Sequence, residues 1–383
     1  MRTRFLSVLL AVMGFSTLSV SPVPAAAPSG DPVTIGAILS ITGPFAPLGE
    51  PERSALQVAE RDINASGGIG GHPVKIVIMD DEGKPDISSQ LATQLVSQHV
   101  IGIIGGSLTA NTQAAYRVAE AAQVPEIFMT PTAQLWETKR GIAPYLFQST
   151  PRNELETAKL SLFAKEKLGA KKIAILYDEN PYGQIGHKLL ADRAKQDGLD
   201  VVDEEQYPTT ATDLTPQLLK VKQSGADTVF LWGASEAPAI AVRQIRQLKL
   251  KIHIIGATGI LSQNFIRVAG PDCEGVYSDT DLNTTAPDAV QAHFIAAYRD
   301  EFKAPPNNFA SFAWDAAHLF QMAARADGGK LDGPSIVKAW ETMKPYRGTT
   351  AVFKFTDKDH NGISIDSLHM TEVKNGTWTV IKE

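Results

Sequence analysis

With 383 residues, 43% of them hydrophobic, the chain is long enough for two domains, and its formal net charge of −6 argues against a nucleic-acid backbone or an anionic membrane surface as partner. A single cysteine, Cys273, excludes an internal disulfide and a cysteine-based metal site, and reads as a small buried apolar residue.

The chain opens with Arg2 and Arg4, an apolar run over 5–20 and small residues ending in Ala25-Ala-Ala27. This is the pattern of a secretory leader over 1–27, too short and wrongly flanked for a membrane span. No cysteine stands at the cleavage site, so a soluble periplasmic protein is expected rather than a lipid-anchored one. Losing two arginines with the leader takes the mature charge from −6 to −8.

From residue 33 the pattern alternates. Short apolar runs at 33–39, 74–79, 101–104 and 127–130 read as buried strands, and 51–66, 86–98 and 111–123 as the helices between them, with Ile87, Leu91 and Leu95 four apart on one face. After Gln148-Ser-Thr-Pro151 the alternation restarts, with strands expected at 172–177, 201–205, 228–231, 252–256 and 276–278. Repeated strand–helix–strand units of this length specify right-handed crossovers and parallel sheets, so the predicted fold is α/β with two similar doubly wound lobes. Two helices follow, over 288–302 and 309–326, and the tail 364–382 alternates apolar and polar residues around Asn375-Gly376, a hairpin turn signal.

Signatures of catalysis are missing. There is no Gly-x-Gly-x-x-Gly after a strand, no Gly-x-x-x-x-Gly-Lys-Ser/Thr, no Gly-x-Ser-x-Gly and no His-Glu-x-x-His. The histidines are scattered singly, and His72, His187 and His369 read as surface positions. Asp357-Lys-Asp-His-Asn-Gly362 imitates the first half of a calcium loop, but its twelfth position is Leu368 where a bidentate glutamate is needed, so a tight turn is expected. Neither cofactor nor metal is expected.

The stretch Ala59-Glu-Arg-Asp-Ile-Asn-Ala-Ser-Gly-Gly-Ile-Gly-Gly71, running into a strand that ends in Asp80-Asp81, carries a further reading. Asn64 and the glycines supply the left-handed conformations that stop a helix and turn the chain. The segment also resembles a signature of the leucine/isoleucine/valine-binding type of periplasmic binding protein, and the resemblance continues in order through nearly the whole mature chain. It implies the type I periplasmic fold, with one lobe from 28–150 plus 281–350 and the other from 151–280 plus 351–383. Three crossings, around 149–152, 278–284 and 348–355, would form the hinge. It further implies a monomeric receptor that holds a small ligand between the lobes and delivers it to an ABC permease in the inner membrane. A receptor serving a signalling partner and a secreted hydrolase or lyase are the alternatives.

The same resemblance assigns site residues. In Gly105-Gly-Ser-Leu-Thr-Ala-Asn-Thr112, Thr109 matches the hydroxyl contact to a ligand carboxylate, with Ser107 as the alternative, and a helix start there suits an anion. Thr132 and Ala133 offer main-chain groups, and Gln134 stands where the family often carries threonine. From the second lobe, Tyr182 in Asn180-Pro-Tyr-Gly183 closes over the ligand, and Ser235 falls where branched-chain binders carry tyrosine. Phe312 and Leu48 match aromatic contacts of the side-chain pocket. The main departure is Thr258, where amino-acid binders of the family carry a glutamate for the ligand ammonium. Truncating one partner of a buried ion pair costs about 3–5 kcal/mol. The expected ligand is therefore a small aromatic or aliphatic organic acid, with Glu236 and Asp281 as alternative carriers of the missing charge that keep amino acids open.

Overall fold

Residues 27–326 and 328–382 are described by the computed structural model, so the expected leader lies outside them except for Ala27. The first apolar runs form β1 (Val33–Leu39), β2 (Val74–Asp80), β3 (Gly102–Gly105), β4 (Glu126–Phe128) and β5 (Leu146–Gln148), a fully parallel sheet in the order β2-β1-β3-β4-β5. The helices between them are α1 (Ala46–Ala65), α2 (Pro85–Ser97) and α3 (Thr109–Ala121). Because β2 and β3 lie on opposite sides of β1, the loops after β1 and β3 diverge, and a crevice opens at the carboxyl ends of the strands.

The second lobe repeats this order. Strands β6 (Lys172–Asp178), β7 (Asp200–Tyr207), β8 (Thr228–Trp232), β9 (His253–Gly256) and β10 (Tyr277–Thr280) are parallel in the order β7-β6-β8-β9-β10. The hairpin β11 (His369–Lys374) and β12 (Thr377–Val380) extends the sheet antiparallel to β10. Its two turn residues, Asn375 and Gly376, both have left-handed φ, 53° and 68°, as the sequence signal requires. Helices α4 (Asn153–Glu166), α5 (Pro181–Gln196), α6 (Thr215–Ser224), α7 (Ala237–Gln247) and α8 (Gln263–Ala269) fill the connections, and Cys273 is buried in the core they form.

The chain then returns to the first lobe. Helices α9 (Ala289–Phe302) and α10 (Asn308–Ala326) bury Phe294, Trp314 and Phe320 in one core with Leu56 and Ile63 of α1. A further helix, α11 (Gly333–Thr342), adds Trp340 to this core and starts at Asp332, whose carboxylate caps Ser335 N at 3.0 Å.

Two boundaries differ from expectation. Helix α1 starts at Ala46 rather than at 51 and carries Pro51 in its interior, led in by a turn of 3₁₀ helix over Gly43–Phe45. Residues 351–363, expected in the second lobe, pack on the first. Phe353, Phe355 and Ile363 sit in the α1/α10 core, the His360 ring stacks on Phe147 at 3.8 Å, and Gln148 N donates to His360 O at 2.9 Å. The reason is the apolar alternation of Phe353 and Phe355, which pays off only against the first-lobe core. The third crossing therefore follows Ile363 rather than falling near 348–355. It runs beside the other two: Asn361 Nδ2 donates to Thr150 O at 2.7 Å, and His369 pairs with Thr280. The Asp357–Gly362 segment is a turn, in which Asp359 Oδ1 accepts from Asn361 N and Gly362 N, each at 3.0 Å.

Candidate ligand-binding cleft

The crevices of the two sheets face one another across a cavity of about 340 Å³. From the first lobe, the loop and helix start after β1 contribute Pro44, Phe45 and Leu48, the loop after β3 contributes residues 107–111, and the loop after β4 contributes Met129, Thr130 and Pro131. From the second lobe come Glu156 of α4, Asn180–Tyr182, Thr209, Thr210, Ala234, Thr258 and Gly259. Phe309 and Phe312 of α10 close one side, their rings edge to face at 6.1 Å. None of the lining residues is Lys, Arg or His.

The first-lobe end presents hydrogen-bond donors and no cationic side chain. Helix α3 begins at Thr109, and no side chain caps its first turn, so the N–H groups of that turn stand at the cavity wall. The Thr109 and Thr132 hydroxyls are 3.0 Å apart, and the buried Thr130 hydroxyl has no partner. Behind them Asp81 fixes the loops, accepting from Ser40 Oγ (2.7 Å), Ser88 Oγ (2.8 Å), Asn111 Nδ2 (2.7 Å) and Gly83 N (2.9 Å). Ser107, the alternative anion contact, is already committed: its hydroxyl accepts from Ser40 N at 3.0 Å and donates to the buried Glu52. Burial pushes the Glu52 carboxyl well above the usual range, the Ser107 hydrogen bond opposing and the Asp81 charge adding.

The second-lobe end is acidic. Asn180 caps α5 by accepting from Gly183 N at 3.0 Å, and a Cβ on Gly183 would meet Asp178 O at 2.0 Å, so only glycine lets the helix start this close to β6. That start aims Tyr182 into the cleft, its ring 6.0 Å from Trp232 and its buried hydroxyl without a partner. Burial raises its phenol, with the Glu156 charge adding and the nearby Gly259 backbone opposing. Glu156 is 1% exposed, and its Oε1 accepts from Thr258 N. Thr258 Oγ1 in turn donates to Asp279 Oδ1 at 3.2 Å. The remaining oxygens, Glu156 Oε2 and Asp279 Oδ2, are buried without partners. Burial lifts the Glu156 carboxyl to about 7 against the Thr258 hydrogen bonds, and burial followed by the Glu156 charge raises Asp279 well above its ordinary value.

Six of the ten expected site residues line the cavity: Leu48, Ser107, Thr109, Tyr182, Thr258 and Phe312. Thr132 lies behind Thr109 and reaches the site through the hydroxyl contact. Three do not reach it. Ala133 is buried in a 3₁₀ turn outside the wall, Gln134 is exposed and donates to Glu154 at 3.0 Å, and the Ser235 hydroxyl accepts from Ala237 N at 3.4 Å, leaving Ala234 in the wall. Neither suggested replacement charge lines the cavity: Glu236 is exposed beside Arg267 at 3.7 Å, and Asp281 is buried, accepting from Asn308 Nδ2 at 2.7 Å. The acid in the wall is Glu156, which Asn153-Glu-Leu-Glu156 conceals as an ordinary acidic first helical turn.

Two doubly wound lobes joined by three adjacent crossings, with a cavity at both switch points, define the type I periplasmic binding fold. Residues 32–377 match the family model described as periplasmic binding protein, and the chain belongs to that family. It is 25% identical over 357 residues to a Leu/Ile/Val-binding protein homolog of Brucella melitensis, covering 90% of this chain and 92% of that protein. Against the Leu/Ile/Val-binding protein of Escherichia coli K12 it is 25% identical over 268 residues, 68% of this chain and 72% of the other. Among solved structures it is similar to the branched-chain amino acid transporter substrate binding protein of Streptococcus pneumoniae in complex with isoleucine, at TM-score 0.81 and 26% identity over 92% of this chain and all (100%) of that one. A periplasmic binding protein type 1 from Bordetella pertussis gives TM-score 0.83 at 25% identity, covering 92% of this chain and 100% of that one. The chain is thus a solute-binding receptor of the Leu/Ile/Val-binding type, the substrate-binding part of an ABC transporter, and acts outside the cytoplasm. Among the described residues no helix is long and apolar enough to cross a membrane.

Proposed function

We propose that the receptor binds a small carboxylate with an apolar body, places the carboxylate at the start of α3 and releases the ligand unchanged to an inner-membrane permease. The observation that carries this reading is the open first turn of α3, flanked by the Thr109 and Thr130 hydroxyls, in a cavity whose apolar walls include Phe45, Leu48, Met129, Phe309 and Phe312. Backbone N–H groups and hydroxyls stabilise an anion there, while the apolar wall rewards burial at about 25 cal/mol per Å². The receptor works as a soluble monomer in the periplasm, with the ligand favouring the closed state of the two lobes. Thermal-shift screening against aliphatic and aromatic acids and α-amino acids tests the reading. A true ligand at a hundredfold excess over Kd adds about 2.7 kcal/mol of stability. Stabilisation by sugars or cationic solutes alone, with none by any carboxylate, would refute it.

A further inference from the structure

A second cavity, of about 80 Å³, lies between the lobes beside the second crossing. Its walls come from residues 305–308 on the first lobe, from 261–263 and the β11–β12 hairpin on the second, and from Thr280, Leu282 and Thr284 of the crossing itself. This cavity and the ligand-binding cleft share no lining residue but divide two segments between them. After β9, Thr258 and Gly259 line the cleft and 261–263 the second cavity; at the start of α10, Phe309 and Phe312 line the cleft and Asn307 and Asn308 the second cavity. Asn308 also ties α10 to the crossing, accepting from Thr280 Oγ1 at 2.8 Å and donating to Asp281 Oδ1 at 2.7 Å. Walls that belong to different lobes change their separation when the lobes rotate, so filling this cavity bears on the cleft.

The lining dictates the chemistry of an occupant. None of its residues is charged, so an ion would be buried there unpaired. Hydroxyls and amides predominate, Thr284, Thr371, Thr377 and Gln263 among them, and a hydrocarbon would leave them unsatisfied. Set against them are the carbon surfaces of Pro305, Pro306 and Trp378, which water alone does not use. The Trp378 Nε1–H is buried without a partner and needs an acceptor. At roughly 30 Å³ per water, the volume holds about three waters or one three-carbon polyol. We propose that this cavity is a binding site for a small uncharged polyol of glycerol's size, which bridges the lobes in the arrangement that also encloses the cleft. Two solutes that favour one arrangement raise each other's affinity, so occupancy here strengthens binding in the cleft.

Glycerol is the probe, and trehalose, too large for the cavity, controls for the general effect of excluded polyols on a folded protein. Each is titrated into the full chain while the indole N–H signals of the five tryptophans are followed by NMR, with Trp378→Phe identifying the Trp378 signal. That signal should shift with glycerol and saturate in the millimolar range, because a solute of so few atoms has little surface to bind with, and should stay in place with trehalose. Thr284→Phe, which fills the cavity from the crossing, should abolish the glycerol shift. Amide exchange in glycerol, compared with trehalose, should slow on both walls, at Asn307 and Asn308 of the first lobe and at 261–263 of the second. A Trp378 shift that is linear in concentration or equal for the two solutes is a solvent effect and overturns the site, as does no shift at all; these outcomes are read on the wild type and need no variant to fold. Slowed exchange on one lobe alone overturns the bridge. No outcome depends on what binds in the cleft, so the carboxylate reading stands or falls separately.

Discussion

Thr109 and Glu156 show how differently two site residues announce themselves. Thr109 follows a strand end and a glycine-rich loop at a helix start, a context that sequence exposes and that chemistry ties to anions. Thr109→Ala should weaken a carboxylate ligand by about 1.5–3 kcal/mol if its hydroxyl bonds to the charge. Gln134→Ala and Ser235→Ala, which remove groups outside the wall, should leave affinity within about threefold, and calorimetry of the three variants checks the ranking. Glu156 gives no such signal. Its importance comes from burial against Thr258 and Asp279, contacts between residues more than a hundred positions apart. Since its folded pKa of about 7 lies above the ordinary 4.5, the folded state holds a proton that the unfolded state has lost. Its stabilising contribution is therefore full below 4.5 and is lost as pH rises through 7. Asp279 acts in the same direction. The depressed carboxylates Asp62 and Asp80 act oppositely, but only below their ordinary 3.8. Thermal melts of the empty protein from pH 5 to 8 should fall less steeply for Glu156→Gln than for wild type, and parallel slopes would contradict the buried-acid assignment.

At the scale of elements, long apolar runs and amphipathic helices were legible because each contains enough residues to show a period. Three-residue strands such as β5 contain none, and the sequence places the start of α1 five residues late because Pro51 looks like a helix start rather than an interior residue. The segment 351–363 is assigned to the wrong lobe by sequence because its partners, Phe147, Gln148 and the α1/α10 core, are joined to it only in three dimensions. Phe147→Ala should cost about 3–5 kcal/mol through the cavity it leaves beside Phe355 and Trp340. Hydrogen exchange should then quicken in 353–363 before it does in β11. The opposite order would mean that this segment belongs with the second lobe.

For the molecule as a whole, the repeated strand order made the two-lobe architecture readable from alternation alone, whereas the charge pattern of the cleft was not, since it is assembled from loops of both lobes. Three adjacent crossings permit closure without breaking either sheet, so small-angle scattering should show a smaller radius of gyration at saturating ligand than for a free, open form. On the proposed reading, a carboxylate sits at the start of α3, held by hydroxyls and N–H groups without a cationic side chain. Calorimetry of the best ligand from the screen beside its primary amide tests this most directly, because the amide keeps the shape and removes the charge. The acid should bind on the order of 10²-fold tighter than the amide, equivalent to about 3 kcal/mol in charged hydrogen bonds. Equal binding of acid and amide would contradict it.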